Sequence, residues 1–95
     1  MLWHCQYTWL PGTSQEDVRQ RFLALHDGSG GKIKQHIKAW YHLAGGGAGV
    51  LIMDTTDAQE LTELLQPFMT VLTVDVRGVA ELQYDRAVER FRQAG

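Results

Sequence analysis

Along the first ten residues hydrophobic and polar positions alternate: Trp3, Cys5, Tyr7 and Trp9 fall on one face, Leu2, His4, Gln6, Thr8 and Leu10 on the other. Period-two alternation rich in aromatics predicts a strand, and Pro11-Gly12 closes it with a turn. Thr13-Ser14-Gln15-Glu16 then offers a capping box from Thr13 to Glu16, and Val18, Phe22 and Leu25 follow at helical spacing. A helix is expected over about 14–26, stopped by His26-Asp27-Gly28-Ser29-Gly30-Gly31. Residues 32–44 alternate again, with Ile33, Gln35, Ile37, Ala39, Tyr41 and Leu43 on one face and Lys34, His36, Lys38, Trp40 and His42 on the other. After Gly45-Gly46-Gly47-Ala48-Gly49 comes a strand over 49–54. Thr55-Thr56-Asp57 caps a second helix whose apolar stripe is Ala58, Leu61, Leu64, Leu65 and Phe68, with Pro67 where it should finish. Thr70 to Arg77 reads as a fourth strand with Leu72, Val74 and Val76 inward, and Tyr84, Val88 and Phe91 mark a short C-terminal helix.

The predicted order is β-α-β-β-α-β plus a final helix, the split βαβ or ferredoxin-like pattern, in the α+β class. Right-handed crossovers put both main helices on one face of a four-stranded antiparallel sheet, with the first and third strands central. Cys5, Tyr7, Ile33, Ile37, Leu72 and Val74 are then expected to face the helices. The opposite face would carry His4, Gln6 and Thr8, then His36, Lys38, Trp40 and His42, then Thr73, Asp75 and Arg77. Many antiparallel sheets leave such a face in water. Trp40, with Leu2 and Leu10 at the flanks, argues instead for cover by a second copy of the chain. The glycine run suggests a phosphate cradle at first sight, but a phosphate loop opens onto a helix. Here it leads into Val50-Leu51-Ile52-Met53, so it joins two antiparallel strands.

Composition narrows the partners. Ninety-five residues, 44% hydrophobic and 21% charged, suit one domain over residues 1–95 with a core of its own. A net charge of −2 and a pI near 6.0 give no electrostatic footprint for nucleic acid or an anionic membrane. No apolar run approaches the roughly 20 residues of a membrane span, and Met1-Leu2-Trp3-His4-Cys5-Gln6 has neither the basic flank nor the small-residue site of a signal peptide. The single cysteine allows no internal disulfide, which makes the cytoplasm the expected location.

The segment Trp40-Tyr41-His42-Leu43-Ala44-Gly45-Gly46-Gly47-Ala48-Gly49-Val50-Leu51 resembles the aromatic-His and Gly-Gly-Gly-x-Gly motif of a small bacterial family, the domain of unknown function 3303. The strand end Trp9-Leu10-Pro11-Gly12, the pair Arg21-Phe22 and the Asp/Thr-rich cap at 54–57 are similar too, so the likeness spans most of residues 1–77. In the fourth strand Arg77-Gly78-Val79 departs from the family pattern, where a proline often follows the polar stretch. The resemblance extends to the dimeric α+β barrels, in which two ferredoxin-like sheets pack face to face around a cleft. It implies a homodimer and a small-molecule cavity. It implies no reaction, because that fold carries many unrelated chemistries.

Candidate chemistry is sparse. His42 matches the family motif and lies among the positions assigned to the cleft; an imidazole is suited to proton transfer near neutral pH, though capping a backbone carbonyl beside the glycine turn is the alternative. Asp75 could lie opposite His4 as an acid–base pair, or form only a surface ion pair. His42, Asp75 and His4 are thus the catalytic candidates, and Trp40, His42, His36 and Gln6 the candidate ligand-binding set. His4, His36 and His42 are spread too widely over the predicted sheet to share a zinc ion at about 2 Å. Cys5 faces the helices as a small core residue. The third strand lacks the aromatics of an RNA-binding sheet. No motif specifies a nucleotide, metal, haem or flavin, and no cofactor is expected. Two functional readings stand. One is a dimeric small-molecule-binding or cofactor-free enzyme module with His42, Trp40 and Asp75 at the cleft; the other is a non-catalytic interaction or regulatory domain using the same sheet face for docking. An enclosed cavity of a few hundred Å³, reached by His42 and another polar group, would favour the first.

Overall fold

The computed structural model describes residues 1–94. Its sheet contains β1 (Leu2–Trp9), β2 (Ile37–His42), β3 (Ala48–Asp54) and β4 (Leu72–Val79), all antiparallel, in the order β2-β3-β1-β4. The two central strands are the first and third in sequence, as the right-handed crossovers require. In sequence α1 (Gln15–Gly28) lies between β1 and β2, α2 (Ala58–Leu65) lies between β3 and β4, and α3 (Tyr84–Ala94) follows β4. Short 3₁₀ turns at Lys32–His36 and Gln66–Phe68 lead into β2 and out of α2; the second contains Pro67, which cannot continue an α-helix.

Local chemistry sets the helix starts. Ser14, not Thr13, caps α1: its hydroxyl accepts from the Asp17 N–H at 3.1 Å, and the Asp17 carboxylate accepts from the Ser14 N–H at 3.2 Å. Thr13 instead donates its hydroxyl to the Val71 carbonyl, tying the start of α1 to the approach to β4. Asp57 caps α2, and its carboxylate accepts the Glu60 N–H at 2.9 Å.

Core packing is uneven. Cys5, Met53, Leu61 and Leu65 make one buried cluster under α2, and Tyr7, Val71 and Leu72 make a second. Each buried Leu contributes roughly 1.5–3 kcal/mol relative to an exposed one. By contrast α1 buries no residue completely. Val18, Phe22 and Leu25 turn towards the sheet as their spacing predicts, Val18 packing against the second cluster and Phe22 against Trp40, and all three line a space between α1 and the sheet.

The largest departure from simple alternation is in the second strand. Residues 32–36 are a 3₁₀ turn rather than strand, and the register of β2 against β3 shifts between Ile37 and Ala39. Ile37 pairs with Met53, but Ala39 pairs with Ile52, the next residue of β3. Lys38 is therefore the extra residue of a bulge, and one extra residue reverses the facing of everything after it. Trp40 lies opposite Leu51 and His42 opposite Gly49, all on the helix side; Ala39 and Tyr41 take the open side. This corrects the placement of Trp40 and His42 on the open face.

The fourth strand also differs in register. Asp75 pairs with Gln6, and the residue opposite His4 is Arg77. The expected His4–Asp75 pair is absent; Asp75 instead meets Arg77 of its own strand at 3.5 Å, with both side chains largely in solvent.

Beyond β4 the chain spreads. The radius of gyration is 16.1 Å and the extents are 52 × 30 × 19 Å, against about 12–13 Å for the radius of a compact chain of this length. The terminal α3 buries none of its described residues and leaves Tyr84 and Phe91 75% or more exposed.

Candidate functional site

The space under α1 is a cavity of about 350 Å³ between that helix and the sheet. Its walls are mostly apolar: Phe22 and Val18 from α1, Leu51 and Met53 from β3, and Leu64 and Phe68 from α2 and the turn after it. Phe22 and Trp40 close it on one side, their ring centroids 5.1 Å apart at an interplanar angle of 55°, an aromatic contact in the favourable tilted range.

Three polar side chains meet on this lining. Tyr7, only 5% exposed, extends its hydroxyl from β1 across β3 to β2. There the oxygen accepts the Trp40 indole N–H at 3.0 Å and lies 2.8 Å from His42 Nδ1. In the imidazole tautomer with hydrogen on Nε2, the hydroxyl donates to Nδ1 while accepting from Trp40, and one chain of hydrogen bonds satisfies all three groups. The Tyr7 and His42 rings are nearly parallel, 21° apart in plane with centroids 6.0 Å apart, and Trp9 lies 6.3 Å from the imidazole. His42 makes its contact to Tyr7 rather than to a carbonyl of the glycine turn, and it is itself exposed. A phenol joined to a solvent-touching imidazole can pass a proton between cavity and water.

Gly49 makes this crossing possible. A Cβ there would collide with the Tyr7 hydroxyl, and would lie 2.6 Å from Tyr7 Cζ and 2.5 Å from the Tyr41 carbonyl oxygen. Only glycine lets the tyrosine ring lie flat over β3. Within the run, the two glycines at left-handed φ are Gly46 (79°) and Gly47 (78°), which turn the chain from β2 into β3. The Gly45–Gly49 run therefore has two tasks, a hairpin turn and a passage for Tyr7.

The remaining candidates are scattered. Gln6 and Asp75 face each other on the open side, with His4 two residues along. His36 sits in the 3₁₀ turn, where its Nδ1–H donates to the Asp54 carbonyl at 2.9 Å and lies 3.8 Å from Glu60. Of the predicted set, then, the structure brings only Trp40 and His42 to the cavity, while Gln6 and Asp75 are paired on the opposite face. Among the described residues no three His, Cys, Asp or Glu side chains gather as a metal site would require. Cys5 is fully buried, and burial pushes its thiol above the usual range, which suits a core residue rather than a nucleophile.

Sequence reasoning passed over Tyr7, which it placed in the core, and Arg19, which reaches the cavity wall from α1. A signal for Tyr7 was present: an inward tyrosine needs a partner for its hydroxyl, and a glycine lies across the strand.

The model of the family described as Domain of unknown function (DUF3303) matches residues 1–93. The chain belongs to that family. The match takes in β4 and nearly all of α3, beyond the stretch where the resemblance was first visible. Among solved structures, it is similar to 5-chloro-2-hydroxyhydroquinone dehydrochlorinase from Burkholderia phenoliruptrix AC1100, determined with 2,5-dihydroxybenzoquinone: TM-score 0.65, 17% identity, 86% of this chain and 96% of that one. Muconolactone isomerase is similar as well, with TM-score 0.62, 18% identity, and 88% and 93% of the two chains covered. At such identities the likeness shows the fold alone, the ferredoxin-like α+β arrangement of a four-stranded antiparallel sheet and its helices. No curated protein matches the chain by sequence.

Proposed function

We propose that this chain is a cytoplasmic, homodimeric small-molecule-binding protein whose ligand occupies the cavity between α1 and the sheet. The polar groups of Tyr7, Trp40 and His42 would orient the ligand, and the Tyr7–His42 pair would move a proton on or off it. The observation that carries this reading is the cavity itself: about 350 Å³, apolar for most of its wall, with three polar side chains converging at one place. Ligand sites have this composition, and this volume lies at the small end of their range of roughly 300–1,000 Å³. A structural neighbour determined with a compact oxygenated ring, 2,5-dihydroxybenzoquinone, agrees in scale. The dimer is supported by surfaces that one copy leaves uncovered: Tyr41 on the open sheet face, 69% exposed, and the stripe of α3. In this reading the second copy covers those surfaces, while each ligand site stays on the helix side of its own sheet.

Titration with indole, a small neutral aromatic, tests the cavity while NMR follows the side chains. Resonances of Leu51, Phe22 and Trp40 should shift, those of His4 and Asp75 should not, and Val18→Trp should abolish the effect by filling the space. No shifts at about 10 mM indole, or shifts confined to the open face, would remove this reading.

A further inference from the structure

The charges around the cavity are one-sided. Arg19 is the sole fully ionised side chain on its lining, and no aspartate or glutamate lines it among the described residues. Nearby Glu16 takes a hydrogen bond from one terminal nitrogen of Arg19 at 2.8 Å but is not part of the wall. A guanidinium has five N–H donors in a planar fork, so that bond leaves several free. The hydrogen-bond chain at the polar groups has the same bias. Trp40 donates to Tyr7, and in the tautomer in which Tyr7 donates to His42 Nδ1 the imidazole has Nε2–H as its remaining group. In that tautomer everything polar on the wall that remains unengaged, apart from Gln15, offers hydrogen rather than accepting it. The apolar wall carries the rings of Trp9, Phe22, Trp40 and Phe68, which favour a flat aromatic body.

Resting on the cavity reading above, we infer that the ligand is an aromatic carboxylate of one or two rings, its ring system held among these side chains and its carboxylate taken by Arg19. An amine would find no counter-charge on the wall, whereas a carboxylate would add a charged partner to a guanidinium otherwise held by Glu16 and by solvent, to which its side chain is 60% exposed. Arginine and carboxylate match in geometry as well as in charge, through two parallel N–H···O bonds.

Calorimetric titration of the full chain with 1-naphthoate and with 1-naphthalenemethanol, its neutral counterpart, separates the two ideas. The carboxylate is expected to bind at least about tenfold more tightly, a factor equal to about 1.4 kcal/mol. Arg19→Gln should remove that preference while leaving affinity for the alcohol within about twofold, with the thermal midpoint of each protein confirming that it is folded. Equal or tighter binding of the alcohol, or a preference that survives in Arg19→Gln, overturns the carboxylate inference and leaves the cavity reading standing. If neither compound binds at millimolar concentration, both fall.

Discussion

Gly49 shows how much of the site depends on one missing methyl group. Its neighbour across the strand, Tyr7, uses that space to reach Trp40 and His42. Gly49→Ala is expected to force the ring aside, with a cost of roughly 1–3 kcal/mol typical of overpacking. A lower thermal midpoint, by roughly 4–8 °C per kcal/mol for a domain of this size, should accompany loss of indole binding. An alanine variant with unchanged midpoint and unchanged Trp40 indole N–H resonance would refute the crowding argument. Tyr7→Phe makes a gentler probe. It deletes the shared oxygen but keeps the ring, so a loss of about 0.5–1.5 kcal/mol is expected, and the Trp40 N–H signal should move to a solvent-exposed position. Were that signal to stay in place, the Trp40–Tyr7 hydrogen bond would be wrong.

At the scale of elements, the order of strands and helices was legible from periodicity, because long apolar stripes and turn residues mark each segment independently. What periodicity did not carry was parity across a bulge. Trp40 and His42 alternate properly with their neighbours, but Lys38 inserts one residue between Ile37 and Ala39 and reverses the face on which they arrive. No residue type announces such an insertion, so the two most promising side chains were assigned to the wrong side of the right sheet. The Asp75 error has a related origin, since register between distant strands depends on contacts that no local pattern records. The cap of α1 was ambiguous between adjacent Thr13 and Ser14, and Thr13 lost because the Val71 carbonyl takes its hydroxyl. This cap yields a prediction about acid. Hydrogen bonds from Ser14, first from its backbone N–H and then involving its side chain, hold the Asp17 carboxyl below the usual carboxylate range. A carboxylate whose pKa is lower folded than unfolded stabilises the fold above its ordinary value near 3.9, and the contribution is lost as pH falls through that value to the lowered one. Asp17→Asn should therefore reduce the thermal midpoint at pH 7 and flatten its decline below about pH 4. A variant with the wild-type slope would show that the cap does not carry it.

An eleven-residue helix is marginal alone in water, and α3 has an apolar stripe, including Tyr84 and Phe91, with almost nothing of its own chain against it. Sedimentation of the chain at tens of micromolar is expected to show a dimer, and Phe91→Glu to shift it towards monomer. A clean monomer for the parent chain would end the dimer proposal. A dimer unaffected by Phe91→Glu would place its contacts on the open sheet face instead, where Tyr41→Glu is the corresponding change.

Cys5 gives the molecule a built-in clock. It is the chain's single thiol, it has no exposed surface, and it lies between the central sheet and α2. A disulfide reagent added to the native protein can reach it only when the core opens, so the rate of labelling counts those openings. A compound bound in the neighbouring cavity holds the core shut in proportion to its occupancy, and labelling should slow by the factor 1 + [L]/Kd. Candidate ligands can thus be ranked by how long a single sulfur stays hidden, with no assay for a reaction and no label introduced by design.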